Sequence, residues 1–209
     1  MKKVILSLTL FVAAVGMASL VSCDNVDDYN SNIHDPEIPT AAIQTVNLNL
    51  PSGTLWANMN LGARTVYDYG NVYTWNVGIA SQVWGSEWAL PTREQVEELF
   101  NNCTWESFSY NGNNLIKGTS KNVVEGQDPA VIYISLTGRI LTDRTAREKQ
   151  GSCAYFWTSE ENTDNTENAY YMNVEQVDKG TKKNPDLQWE ISVAEIVKTT
   201  QNAVRCVKK

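Results

Sequence analysis

Apolar and polar residues alternate over much of the chain after residue 45, as they do in half-buried β-strands. Val46, Leu48 and Leu50 alternate with asparagines, which predicts a first strand. A second alternating run covers 55–61, although Trp56 falls on its opposite face. Further strands are predicted at 130–136, 154–159, 169–174 and 203–207, and a turn at 110–113.

One segment has the pattern of a helix. Thr92 is a suitable N-cap, and Gln95 three residues later completes a capping box. The apolar residues of one face follow at helical spacing: Val96, Leu99 and Phe100. These signals predict a helix over 93–101. One helix among many short strands predicts the α+β class.

The N-terminus has the layout of a secretory signal. Lys2 and Lys3 precede an apolar run over 4–15, and small residues lead to Leu-Val-Ser-Cys at 20–23. This ending resembles the bacterial lipobox, so we expect a lipoprotein signal peptide over 1–22 and lipidation of Cys23. An ordinary signal peptide and an uncleaved anchor are the alternatives. Acyl chains on Cys23 would make the membrane a partner of the chain.

A polar stretch with two prolines separates Cys23 from the strand pattern. We expect residues 23–45 to form a flexible tether and 46–209 to form one domain. Acidic residues directly after Cys23 resemble the surface-export signal of Bacteroidota lipoproteins. This predicts attachment to the outer membrane with the domain at the cell surface, and a periplasm-facing orientation stays open.

Charge and histidine content narrow the possible functions. Without residues 1–22 the chain has 15 basic and 24 acidic residues, a net charge near −9, so nucleic acid is not an expected partner. The one histidine, His34, lies in the predicted tether. A Ser-His-Asp or Cys-His site, or a histidine-rich zinc site, therefore cannot be built in the domain. We expect no enzyme activity and no cofactor.

Four cysteines permit one further prediction. If Cys23 is lipidated, Cys103, Cys153 and Cys206 remain in the domain, and export permits a disulfide. Cys153 and Cys206 both lie in or beside predicted strands, so they are the favoured pair. The alternative is that no disulfide forms.

Several sequence blocks together resemble a known family. Trp-Ala-Leu-Pro-Thr at 88–92, followed by the predicted helix, is similar to the central motif of the Fibrobacter succinogenes major paralogous domain. Other blocks occur in the family's order, at 49–57, 60–63, 69–75, 101–105, 136–139, 156–159, 168–171 and 204–207. Two features depart from its pattern: Asn76 replaces a common Gly, and the stretch before Ala203 lacks an aromatic-Gly-Phe run.

This resemblance implies a C-type lectin-like fold, with a mixed, mostly antiparallel sheet and long loops. It implies a secreted or surface module, but no reaction and no catalytic residue. The leading hypothesis is therefore a surface-anchored, non-catalytic binding or adhesion module for a glycan or protein ligand. The alternative is a structural or accessory subunit of an outer-membrane assembly or surface appendage.

Candidate ligand-binding residues are tryptophans near predicted loops. Indole faces suit the apolar faces of sugar rings, so Trp84 and Trp105 are the candidates, whereas Trp88 and Trp157 lie in regular motifs and are expected in the core. The acidic stretch 160–168 offers oxygen ligands for calcium, but its spacing fits no EF-hand and a solvated loop is the better interpretation, so no metal site is assigned. Arg205, inside a terminal strand pattern, is expected to be a structural hydrogen-bonding residue.

Overall fold

The computed structural model describes residues 42–209, which contain twelve β-strands and two α-helices. The predicted signal peptide, the lipidation of Cys23 and His34 lie outside the described residues. The strands are β1 Thr45–Asn47, β2 Leu55–Ala57, β3 Val72–Tyr73, β4 Trp88–Ala89, β5 Cys103–Tyr110, β6 Asn113–Ser120, β7 Val131–Ser135, β8 Ala154–Glu161, β9 Asn168–Asp178, β10 Leu187–Val197, β11 Asn202–Ala203 and β12 Val207–Lys208. The helices are α1 Ile79–Trp84 and α2 Arg93–Asn101.

The strands form three sheets, ordered β1-β2-β12-β4, β10-β9-β8-β11-β3 and β5-β6-β7. The named strands pair antiparallel, except that β11 pairs parallel with β8. The predicted α+β class with a mostly antiparallel arrangement is therefore confirmed.

The five-stranded sheet lies between two hydrophobic cores. Successive side chains of β8 point to opposite faces of this sheet. Ala154 and Phe156 belong to the first core, and Tyr155 and Trp157 belong to the second. The three-stranded sheet and α2 close the first core, whereas α1 and Trp88 close the second. Because both faces of β8 are buried, this strand reads as a continuous apolar run rather than an alternating one.

Helix α2 forms at the predicted residues. Thr92 accepts a hydrogen bond from the backbone of Gln95 at 3.2 Å, and the Gln95 side chain accepts one from the backbone of Thr92 at 2.9 Å. This is the predicted capping box. Val96 and Leu99 are buried in the first core, so the apolar face is the packed face.

The sequence pattern predicted one clear helix, and the structure contains a second one, α1. It has six residues, its N-cap Gly78 makes no side-chain hydrogen bond, and its only buried residue is Ala80. Such a short segment has neither a cap nor an apolar stripe that the sequence pattern could reveal.

The two N-terminal strands are shorter than predicted. Strand β1 ends at Asn47, since Asn49 adopts a φ of 53° and turns the chain, although Leu48 and Leu50 remain buried. Strand β2 ends at Ala57, and its Trp56 is fully buried. Apolar alternation therefore identified buried positions correctly but overestimated the length of regular pairing.

The predicted C-terminal strand over 203–207 is wrong, because the chain changes sheet within it. Ala203 pairs with Phe156 in the five-stranded sheet, whereas Val207 pairs with Trp56 and Ala89 in the four-stranded sheet. Arg205 lies between the two strands and is fully buried.

The predicted turn at 110–113 joins β5 to β6. Its central residues Asn111 and Gly112 have φ values of 47° and 80°, the left-handed conformation that two-residue hairpins favour. The strands on either side of this turn, and the whole of β10, were not predicted from the sequence. Strand β10 pairs with β9 over its full eleven residues without a bulge.

Candidate binding groove

A groove opens where one face of the hairpin β9–β10 extends beyond the first core. Val174 and Ile191 face each other on this hairpin and are covered by the core. Two residues along each strand, toward the loop that joins β9 to β10, Gln176 and Trp189 are paired on the same face. Gln176 is exposed and Trp189 is half-buried, so the hairpin presents an uncovered aromatic surface there.

Strand β5 and the end of α2 form the opposite wall. Because α2 ends at Asn101 and β5 begins at Cys103, Phe100 lies close to the first residues of β5. The cavity between the walls has a volume of about 460 Å³. Its lining includes three aromatic side chains, three amides and two charged groups: Phe100, Trp105, Trp189, Asn101, Gln176, Gln188, Glu106 and Lys121.

Trp189 spans the groove. Its indole Nε1 donates a hydrogen bond to the Ser107 hydroxyl at 3.0 Å, which ties β10 to β5 although the two strands belong to different sheets. Trp189 also lines a second cavity of about 570 Å³, together with Phe108, Glu175 and Lys149. One indole therefore borders both cavities and is the central aromatic group of the groove.

Trp105 is a fixed wall of the groove. Its six-membered ring covers Gly118 on β6, where an added Cβ would lie only 2.5 Å from Cζ3. The ring is near-parallel to Phe100 at a centroid distance of 6.5 Å, and Nε1 donates to the Phe100 carbonyl at 3.3 Å. These contacts hold Trp105 against neighbours of its own domain, so its faces are less open than the sequence prediction assumed.

Trp84, the other predicted candidate, lies elsewhere. It ends α1 and packs edge-to-face on Trp88 at 5.4 Å. It borders a separate cavity with Ile43, Glu87 and Lys208. The structure therefore does not bring Trp84 and Trp105 into one site, while Trp88 and Trp157 are buried as expected.

The charges at the groove are few and mostly at its edge. Lys117 and Glu106 form an ion pair at 2.7 Å, and this hydrogen bond raises the pKa of Lys117. Lys121 donates from Nζ to the carbonyl of Asn101 at 2.9 Å. Burial raises the pKa of the Cys103 thiol to about 11, so this thiol stays protonated at neutral pH and is a poor nucleophile.

The acidic stretch 160–168 is organised by ion pairs and turns. Glu160 and Glu161 belong to β8, where Glu160 pairs with Arg93 and Glu161 pairs with Lys198 at 2.6 Å. The Asn162 side chain accepts backbone hydrogen bonds from Asp164 and Asn165. Within residues 42–209, no three His, Cys, Asp or Glu side chains are grouped as a metal site.

The three cysteines of the domain are free thiols, and all are buried. The favoured Cys153–Cys206 disulfide is therefore not formed in the structure, which has the alternative arrangement. Both thiols belong to the second core, where they pack as small apolar side chains.

Sequence reasoning missed the central residues of the groove, namely Ser107, Gln176 and Trp189. A signal for Trp189 was present in the sequence. Apolar and polar residues alternate strictly over 187–193, as they do in a half-buried strand. No comparable signal marks Ser107, which gains its role only from the approach of β5 to β10.

Comparison with known proteins gives no match: no family model, no curated protein and no solved structure is significantly similar to this chain. Among the residues that the structure describes, no helix has the length and apolar character needed to cross a membrane.

Proposed function

We propose that this chain is a surface-anchored lipoprotein whose domain is a non-catalytic binding or adhesion module for glycan or protein ligands. We also propose membership of the Fibrobacter succinogenes major paralogous domain family, with its C-type lectin-like fold. The ordered motif blocks over 49–207 support this family, and the α+β architecture is compatible with it.

The groove is the proposed ligand site, and the position of Trp189 carries this proposal. A half-buried indole that borders two cavities offers a large rigid contact area at low entropic cost. Exposed amides such as Gln176 and Gln188 can orient a polar ligand beside it. Each cavity is within the range of about 300–1,000 Å³ that is usual for ligand sites.

A binding screen tests this function. The purified protein is presented to a glycan array and to a panel of surface and matrix proteins, with wild type, Trp189→Ala and Trp84→Ala compared. We expect at least one ligand whose binding falls tenfold or more in Trp189→Ala and is unchanged in Trp84→Ala. Absence of any ligand, or equal loss in both variants, would contradict the assignment of the groove.

The outermost position of β10 favours a second candidate, a subunit of a surface assembly. Strand β10 is the first of five in its sheet order, and a strand edge can pair with another chain. Crosslinking in intact cells separates the candidates: an assembly subunit yields stable complexes with other surface proteins, whereas a binding module is recovered alone until its ligand is added.

A further inference from the structure

One side of the β10 backbone has no partner in the described part of the chain. The Lys198 N–H donates to Glu167 at 2.9 Å, and the Lys179 N–H donates to Asp186 at 2.7 Å. In an antiparallel ladder, residue pairs that exchange hydrogen bonds alternate with pairs that do not. Because Asp186 and Lys198 flank β10 and both are in hydrogen-bonded pairs, the even-numbered residues of β10 bond to β9. The odd-numbered residues turn their N–H and C=O groups to the free edge: Leu187, Trp189, Ile191, Val193 and Glu195.

This free edge borders two neighbouring cavities. The groove cavity is lined by residues 187–189 of β10, and a third cavity of about 250 Å³ is lined by residues 191–193. Phe100 and Asn101 line both cavities, so the two are adjacent, and together they are called the recess. Residues 187–193 span about 20 Å at about 3.4 Å per residue.

We propose that this recess binds an extended peptide segment of a partner protein, which adds to the free edge of β10 as a further strand. The proposal rests on the groove being the ligand site and specifies the class of ligand. Main-chain groups of Trp189, Ile191 and Val193 would supply the affinity that is common to all extended peptides. Phe100 and Trp189 would receive the peptide's apolar side chains, beside the wall that Trp105 forms.

The walls of the recess favour a single extended segment over a second copy of the domain. The end of α2 borders the edge at 191–193, and β5 borders it at 187–189. A sheet edge from another copy would bring its own neighbouring strand about 4.8 Å behind it, toward these walls. A lone peptide has no such neighbour.

Charge at the two ends of the recess indicates a preferred peptide. Glu106 and Lys121 both line the groove cavity, but Glu106 is paired with Lys117 at 2.7 Å. The unpaired charges are those of Lys121 in the groove cavity and Glu97 in the third cavity. Neither forms an ion pair with another residue of 42–209. An added antiparallel strand would start beside Glu97 and end beside Lys121. It should therefore carry a basic residue at its N-terminal end and an acidic residue at its C-terminal end.

Synthetic peptides of seven residues test the proposal on the full chain. Valine, leucine or phenylalanine alternates with threonine in the five central positions, lysine is first and glutamate is last, and both termini are blocked. Binding is followed by tryptophan fluorescence and calorimetry. We expect N-methylation of the alternate amides that face β10 to weaken binding at least tenfold, and N-methylation of the other amides to have little effect.

A matched pair of protein variants supplies the second measurement. Val193→Pro removes an N–H that points to the free edge and leaves the ladder with β9 intact, whereas Val193→Thr keeps that N–H. We expect at least tenfold weaker peptide binding in Val193→Pro and near wild-type binding in Val193→Thr. A peptide with glutamate first and lysine last should bind wild type more weakly than the original peptide. Its binding should recover in a Glu97→Lys, Lys121→Glu double variant.

Three outcomes would overturn the peptide assignment. One is peptide binding that is insensitive to both N-methylation and Val193→Pro. Another is a glycan whose binding requires Trp189 while no peptide of the set binds, which keeps the proposed function and rejects this ligand class. The third is a dimer in sedimentation that Val193→Pro dissociates, which makes a second copy the occupant. Failure of every glycan, protein and peptide would instead reject the proposed function itself.

Discussion

Arg205 donates a hydrogen bond from Nε to the side-chain oxygen of Asn60 at 2.8 Å, and neither residue is exposed to solvent. The guanidinium also donates to the carbonyls of Ala57 at 3.0 Å and Tyr133 at 2.8 Å. It therefore joins the end of β2 and the segment after it to β7 of another sheet, at the point where the C-terminal chain changes sheets. Desolvation lowers the pKa of Arg205 to about 9, so the group remains charged at neutral pH.

Arg205→Lys should destabilise the domain by about 2–4 kcal/mol, because one ammonium cannot satisfy acceptors placed for a planar guanidinium and leaves buried oxygens unpaired. The free energy of unfolding in urea measures this loss. Arg144→Lys is the control, since the Arg144 side chain is largely exposed and its replacement should change stability by less than about 0.5 kcal/mol. Equal stability of the two variants would show that the geometry at Arg205 is not needed.

The parts of the fold that could be predicted from the sequence are those that depend on residues close together in the chain. The Thr92 cap, the Asn111-Gly112 turn and the apolar run of β8 each fix structure within a few neighbouring residues. The general α+β class follows from such elements.

The remaining features depend on contacts between distant segments. The sequence could not indicate that Arg205 would be surrounded by oxygens of Ala57, Asn60 and Tyr133, because those residues lie 72–148 positions away. The groove has the same origin. Ser107 and Trp189 are 82 residues apart and meet only because the hairpin β9–β10 packs beside β5.

The contact between Trp105 and Gly118 predicts a coupled effect of mutations. Gly118→Ala places a Cβ about 2.5 Å from the indole, so the ring must move. We expect a loss of about 1–3 kcal/mol from this overpacking. In a Trp105→Ala background the same substitution should cost much less, because the ring is gone. Urea unfolding of the four proteins in a double-mutant cycle measures the coupling, and additive effects would contradict it.

Stability should fall at alkaline pH because of two buried thiols. Burial raises the pKa of Cys206 to about 12 and that of Cys103 to about 11, from an ordinary value of 9.0. Above about pH 9 the unfolded chain loses thiol protons that the folded chain keeps, so this contribution to stability is complete below pH 9 and decreases as the pH rises.

Unfolding measured in reductant at about pH 8 and pH 10.5 tests this dependence. Each such thiol can contribute a slope of up to about 1.4 kcal/mol per pH unit between its unfolded and folded pKa values. Cys206→Ala should therefore show a shallower decrease than wild type over this interval, whatever its stability at pH 8. Parallel decreases in the two proteins would mean that the thiol is not protected from ionisation.

Lipidation at Cys23 is the prediction on which the cellular location depends. Wild type should incorporate labelled palmitate and sediment with membranes, because each buried methylene of an acyl chain contributes about 0.8 kcal/mol to membrane binding. Cys23→Ala should lose the label and move to the soluble fraction.

The matched control for this experiment is Cys103→Ala, which removes a buried thiol of the folded domain and should keep the label. Because both variants lose one cysteine, a difference between them identifies the modified residue rather than a general effect of thiol content. Equal labelling of Cys23→Ala and wild type would refute the anchor, and the surface location would then need another basis. Binding through the β10 edge would still be measurable, since the groove lies entirely within residues 42–209.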